Sequence, residues 1–462
     1  MKKKPILFIV LCLLLCLIPS VGMLFFPTTR TTENKAMAAS PRLTTEEGAL
    51  NRAFFQDFER YFNEHLALRN PLVYADAKIQ TTLFRESNVS GVISGENGWL
   101  YYASTLDDYL GRNVLSDREL YNLAHNFRVV QDALDARGID FVLTIAPNKN
   151  TLYGENMPYY SSHIIDPRHS AVLLSSYLSG QGVSYLDLFQ LFSQQEETLY
   201  LLRDSHWNNK GACLVYNGIM DALSLPHEDY AAAEPKLVKN ENGDLNKMLY
   251  SFYGELEENY DYGLTQSYRY ANDADDVEDL MIVTENPGGS GTLLMFRDSF
   301  ANTLIPFLSN EFATACYSKG EPNLLGLFVD IYQPDCVVME KVERNIADYL
   351  TNPPVITPAE TQLPTNITIA STATTVQLSG CATDMNYYQI SGALDTSRLQ
   401  PDSEILVSIN SRVYTAYQTE EAGYLLYLSK DLLTEPAAEV RVYMVTGDTC
   451  LQVLTQALPL PE

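Results

Sequence analysis

Between residues 116 and 342, stretches of helical periodicity alternate with short apolar runs, and this alternation leaves few architectures open. In "DRELYNLAHNFRVVQDALDARG" (117–138) the apolar residues recur at three- and four-residue intervals up to a stop at Gly138, and "IDFVLTIAP" then reads as a fully buried strand. The pattern continues through "PRHSAVLLSSYLSGQG", "VSYLDLF", "LYLLRDSHW", "NNKGACLVYNGIMDALS", "GTLLMFRDSF", "ANTLIPFLSNEF", "ATACYS" and "DCVVMEKV". Strands apolar on both faces must be covered on both. The expected fold is therefore α/β, a mostly parallel sheet flanked by helices.

Other segments set the boundaries. Lys2, Lys3 and Lys4 precede an uncharged stretch, Pro5 to Phe26, which as a helix would be about 33 Å long and would span a bilayer. No small-x-small cleavage pattern follows closely, so residues 1–28 read as cytoplasmic lysines and an uncleaved signal anchor. The remaining chain is then outside a plasma membrane crossed once through residues 5–26. Residues 29–352 form the main domain, with a polar, Tyr-containing insertion at about 226–290. The prolines of "TNPPVITPAETQLPTN" mark a linker at 353–369, and the β-rich runs of 370–462 suggest a small, all-β sandwich-like domain. The aromatic stripe Phe54, Phe55, Phe58, Tyr61 and Phe62 reads as the core face of an amphipathic helix, and alternating tyrosines after residue 370 (Tyr387, Tyr388, Tyr414, Tyr417, Tyr424, Tyr427) as sandwich core.

A net charge of -27 excludes a nucleic-acid partner, because phosphate binding needs Lys and Arg to release counterions. Of seven cysteines, Cys213, Cys316 and Cys336 lie in apolar segments and read as buried thiols; Cys381 and Cys450 bracket the last region, and their pairing is open. There is no zinc pattern, and no metal is expected.

In an open parallel sheet, functional groups gather where strands end. "LYLLRDSHW" ends on Asp204 and His206, which leave the same face if the segment is extended; "GTLLMFRDSF" ends on Asp298 and Ser299, with a helix following. Serine needs a base to remove its proton, imidazole serves near neutral pH, and a carboxylate orients the imidazole. Ser299, His206 and Asp204 supply nucleophile, base and acid, with Asp298 the weaker alternative acid and Ser205 a bystander on the opposite face. Lys149 in "APNKN", Arg297, Trp207 and Asn302 are the expected substrate contacts.

"DSHW", "NNKGA" and "FRDSFANTLIPFLSNEF", with "TTENKAMAASP", "FERYFNEHLALRN", "GENGWLYY", "TIAPNKNTLY", "NGDLNKML" and "PDCVVMEKVERN" in the same order, resemble the SGNH-hydrolase-like proteins of the DHHW group and their relatives, the AlgX and AlgJ alginate O-acetyltransferases. The resemblance implies an SGNH-type fold and assigns Asp204, His206 and Ser299 the same three roles. Ser205 stands where the namesake motif has its first His, and Arg297 where SGNH enzymes carry a glycine. It further implies a polysaccharide acceptor and no cofactor, with acetyl groups delivered by a membrane-bound O-acyltransferase. A carbohydrate acetylesterase using the same triad and a non-catalytic polysaccharide-binding envelope protein are the alternatives.

Overall fold

The computed structural model describes residues 3–29, 37–45, 48–250, 254–320, 323–370, 374–380, 386–395, 397, 399–420, 422–433, 435 and 437–459. Helix α1 (Lys3–Gly22) contains a window, Pro5–Gly22, of mean hydropathy 2.7 that is only 6% buried. Among the described residues it is the one helix long and apolar enough to cross a membrane. It stops four residues short of Phe26, where the chain leaves the helix through turns.

Helix α2 (Phe54–His65) departs from expectation. None of its residues is buried, and Phe54, Phe58 and Phe62 stack on one another with centroids 6.3 and 6.2 Å apart. Periodicity reports that a helix has an apolar face; it does not supply the element that covers it. Phe55 is 83% exposed.

The main sheet has seven strands: β1 (Asp140–Ala146), β2 (Tyr185–Leu186), β3 (Arg269–Tyr270), β4 (Met281–Glu285), β5 (Thr292–Phe296), β6 (Thr314–Ser318) and β7 (Cys336–Val342). Their spatial order is β2-β1-β7-β5-β6-β4-β3, with the first five mutually parallel, β4 antiparallel to β6 and β3 antiparallel to β4. Helices α3 (Asp117–Asp135) and α4 (Ser170–Gln181) cover one face, and α5 (Asn209–Ala222) covers the other; α6 (Asp244–Tyr250) lies outside the sheet, and α7 (Ile305–Glu311) joins α5. The period of two shows how both faces are used. On β7, Val337 and Met339 enter the first core while Cys336, Val338 and Val342 enter the second. Cys213, Cys316 and Cys336 are buried free thiols, as their apolar surroundings suggested.

Two expectations about the sheet need correction. The stretch "LYLLRDSHW" is no strand: it is a turn-rich loop closed by one bridge, Tyr200 to Trp207, and a Leu201 N–H bond to the His206 carbonyl. Nor is the 226–290 insertion only a cover, because β3 and β4 come from it and complete the sheet edge.

After the prolines, a six-stranded and a four-stranded antiparallel-rich sheet enclose a third core, with Ile390, Tyr424 and Leu426 from one sheet facing Val407, Tyr414 and Val442 from the other. Tyr387, Tyr414, Tyr417, Tyr424 and Tyr427 are buried, and only Tyr388 is partly open, under the Lys430 ammonium. Cys450 is a buried thiol here, and Cys381 lies outside the described residues.

The sandwich is docked on the α/β unit by apolar and polar groups together: Tyr387, Tyr417, Leu425 and Tyr427 join the core that α3 shares with the main sheet, rather than the sandwich core, and polar bonds to α3 surround them. Strand Tyr417–Thr419 is an edge, and Asn126 takes the place of a neighbouring strand: its Nδ2 donates to the Gln418 carbonyl (3.0 Å) and its Oδ1 accepts the Gln418 N–H (2.8 Å). Arg118 donates to the carbonyls of Gln400, Pro401 and Ser403, and Asn122 to that of Glu420. Replacing Asn126 by Ala orphans a buried N–H and a buried C=O together. The expected cost is about 3 kcal/mol in a denaturant titration, with earlier proteolytic release of the sandwich.

Candidate active site

Ser299 follows β5, which lies between β7 and β6 in the middle of the parallel strands. The turn carrying it is tied to the end of β7: Asp298 accepts the Phe300 N–H at 2.8 Å and the Val342 N–H at 2.7 Å, and its own N–H donates to Glu340 at 2.9 Å. Asp298 is thereby occupied in building the turn. Glu340 is buried, and burial together with the Asp298 charge raises its pKa well above the usual carboxylate range.

The facing loop is shaped by Lys149. Its ammonium, 4% exposed, donates to the carbonyls of Leu201 (2.9 Å), Leu202 (3.0 Å) and Asp204 (2.6 Å) and lies over the rings of Trp99 and Tyr101. Burial lowers its pKa to about 7, against the opposing charges of Asp204, Glu257 and Asp244. From outside, Glu257 accepts the N–H groups of Leu202 and Arg203. Trp207 Nε1 donates to Thr303 Oγ1 at 2.8 Å, joining the loop to the helix that follows Ser299.

Within this frame His206 Nδ1 contacts Asp204 Oδ1 at 2.6 Å, and His206 Nε2 contacts Ser299 Oγ at 2.8 Å. The Asp204 Oδ1 also accepts the His206 N–H, and its Oδ2 accepts the N–H of Asp244 (2.7 Å). The ring edge of His206 meets Phe300, centroids 4.6 Å apart. With Nδ1 directed to a carboxylate, Nε2 is left as the acceptor facing the serine hydroxyl. Burial pushes Asp204 upward, but its hydrogen bonds and the His206 charge outweigh that and leave it below the usual carboxylate range. For His206, burial lowers the pKa and Asp204, Asp244 and Asp298 raise it; the net shift is upward.

Asp244 was not foreseen. It accepts the Ser205 N–H (2.8 Å) and hydroxyl (2.5 Å), and its carboxylate lies 4.0 Å from His206 Nδ1. Ser205 is therefore the strut between Asp244 and the loop. The only sequence signal was Gly243-Asp244 at a helix start: a Cβ on Gly243 would lie 2.3 Å from the Arg203 carbonyl oxygen, so glycine is what lets Asp244 approach. Burial and the Asp204 charge raise the pKa of Asp244. The donor atoms of Asp204, His206 and Asp244 lie within 4.8 Å of one another, yet a cation there would have to displace the Asp204 to His206 hydrogen bond.

Three expected substrate contacts prove to be internal. Lys149 is buried because its ammonium binds the loop carbonyls. Trp207, 1% exposed, packs on Phe300 with centroids 5.0 Å apart. Arg297, 5% exposed, spends its guanidinium on Asn302 Oδ1 and the carbonyls of Val277, Asp279 and Asp298. Asn302 alone of the four reaches open space, lining a cleft with Thr303, Tyr260 and Tyr262.

Residues 92–293 match the family described as "SGNH hydrolase-like domain, acetyltransferase AlgX". Over that stretch the chain is similar to the AlgX-type SGNH hydrolase-like domain. The matched stretch contains Asp204, His206 and Asp244 and ends before Ser299. The probable alginate O-acetylase AlgJ of Pseudomonas aeruginosa is 27% identical over 171 residues, which is 35% of this chain and 40% of that protein. Thus the chain spans well under half the length of that curated relative. Among solved structures, Bacillus cereus PatB1 aligns with a TM-score of 0.43 at 19% identity, covering 55% of this chain and 96% of that one. A DHHW family protein from Eubacterium siraeum aligns with a TM-score of 0.39 at 12% identity, covering 55% and 95%.

Two predictions follow from the site's geometry. In a proton NMR titration of the histidine ring resonances, His206 has a midpoint above the ordinary 6.5, and Asp244→Asn moves it downward by removing a carboxylate that favours the imidazolium. Lys149→Met leaves three loop carbonyls without their donor, and denaturant unfolding should register a loss of about 3 kcal/mol.

Proposed function

We propose that this protein is a membrane-anchored, extracytoplasmic O-acetyltransferase that acetylates hydroxyl groups of a cell-surface or exported polysaccharide through an acetyl-serine intermediate on Ser299. The observation that carries the reading is the continuous hydrogen-bonded line from Asp204 through His206 to Ser299 Oγ, with contacts of 2.6 and 2.8 Å. The AlgX-type match over residues 92–293 and the AlgJ relative support acetyl as the group moved. The apolar helix α1, preceded by lysines, supports anchoring in the plasma membrane with the remaining chain outside.

In the first step His206 Nε2 takes the Ser299 proton as Oγ attacks the acetyl carbonyl, and the Ser299 backbone N–H donates to the developing oxyanion. The imidazolium, stabilised by Asp204, returns the proton to the departing donor group, leaving acetyl-Ser299. In the second step His206 takes a proton from a sugar hydroxyl, whose oxygen attacks the acetyl carbonyl, and collapse gives that proton back to Ser299 Oγ. No cofactor or metal enters; a membrane-bound O-acyltransferase partner supplies the acetyl groups.

The same line of groups would serve an acetylesterase if water attacked in place of sugar. Incubation of the full chain with an acetyl-ester reporter, with and without oligosaccharide, separates the two: transfer gives acetylated sugar, and release of acetate alone identifies the esterase. Ser299→Ala should lower kcat/KM by about 10⁴-fold or more and abolish a trapped protein species heavier by one acetyl group. Because only neutral His206 can act as base and its pKa is raised, kcat/KM should rise with pH through a midpoint above 6.5. Equal activity of Ser299→Ala and wild type would sink both enzyme readings.

A further inference from the structure

A cleft of about 420 Å³ opens beside the turn that carries Ser299. One wall is the helical segment after the serine, including Asn302 and Thr303; the other is the hairpin Lys236–Glu241 and Glu257–Asp261 from the insertion. The hairpin is held to the start of α5, three residues beyond His206, because the Asn209 N–H donates to Asn259 Oδ1 (2.9 Å) and its Nδ2 to the Tyr260 carbonyl (2.7 Å). The cleft is thus fixed to both sides of the proposed catalytic line.

Its lining has a definite chemistry. Half-buried Tyr260 and Tyr262 and the side chain of Asn240 line it, aromatic and amide groups of the kind that recognise a hydroxyl-rich ring, while the Asn302 amide on the opposite wall is held by Arg297 and Glu278. Among the described residues no Lys, Arg or His lines it, whereas Glu241 and Asp261 do. A register irregularity between Lys239 and Glu241 leaves Asn240 and Glu241 both on the cleft while Lys239 stays off it. A third carboxylate, Glu278, accepts from Asn302 Nδ2 at 2.6 Å. Of the neighbouring cations, Lys210, 5.7 Å from the Tyr260 ring centroid, pairs with Glu197 and Lys319 with Glu278, while Lys236 and Lys239 of the hairpin are exposed and do not line the cleft.

We infer that this cleft is the acceptor subsite and that it takes glycan units without carboxylates, uncharged or amine-bearing sugars, and rejects polyuronates. The inference rests on the transferase reading for the word acceptor, but the binding selectivity stands on the lining alone. A uronate residue would place its carboxylate against Glu241 and Asp261 in a molecule of net charge -27, with no free cation on the lining to receive it.

The test is calorimetric titration of the full chain in detergent, carrying Ser299→Ala so that no turnover intervenes, with cellohexaose, hexaglucosamine or hexamannuronate. At low salt the first two should bind at least about tenfold more tightly than hexamannuronate, with the gap narrowing as salt screens the repulsion. Tyr260→Ala should weaken cellohexaose binding, and the Glu241→Lys, Asp261→Lys pair should raise hexamannuronate affinity at least about tenfold, each variant first checked for an unchanged melting transition. Hexamannuronate binding as tightly as cellohexaose, or no binding of any of the three up to millimolar concentration, would overturn the inference. Because the titration uses protein lacking the nucleophile, an inactive wild type in the acetyl-ester assay would remove the transferase reading and leave the selectivity result intact.

Discussion

The site depends on one buried cation. Lys149 collects the carbonyls of Leu201, Leu202 and Asp204, which in a turn-rich loop have no strand partner to satisfy them. An ammonium can do this because its three donors diverge from one point, and Trp99 and Tyr101 offer ring faces that offset part of its desolvation. With the backbone so held, Asp204 and His206 meet at 2.6 Å although they do not belong to a strand.

Around that loop the carboxylates divide their work by environment. Asp204 is ionised because it accepts three N–H contacts, two from His206 and one from Asp244. Asp298 shapes the Ser299 turn from below, and buried Glu340, its pKa raised by burial and by the Asp298 charge, accepts the Asp298 N–H. Asp244, more open, adds negative potential near the imidazole through a 4.0 Å approach and braces the loop through Ser205. The rim continues the same sign through Glu241, Asp261 and Glu278, so an acidic chain keeps its charge where an incoming ligand would meet it.

Much of this was legible in the order of residues. Helix and strand alternation predicted a parallel sheet, because a strand apolar on both sides has no other stable place, and β7 sends alternate residues into both cores. A serine just after β5 and an Asp-x-His pair stood out in the sequence because few residue types could act as nucleophile and base, and the structure brings Asp204, His206 and Ser299 into one hydrogen-bonded line. The substrate contacts were less legible. Lys149, Arg297 and Trp207 are polar or amphipathic residues near the site, and sequence does not reveal whether such a side chain turns toward solvent or spends its donors on the protein's own carbonyls. Asp244 and the cleft-lining hairpin were hidden for another reason: they come from the insertion, dozens of residues away, and only docking on the start of α5 brings them in.

By itself, then, the sequence determined the layered α/β unit, the apolar first helix and the β-rich end, since these follow from periodicity and hydropathy, both local properties. The tertiary structure alone decided that the Asp-His segment is a loop, that Lys149 builds it, that Asn126 ties the sandwich to α3, and that an acidic, tyrosine-lined cleft opens beside Ser299. Those features depend on which distant groups satisfy a buried donor or acceptor, and that pairing is settled only when the whole chain has packed.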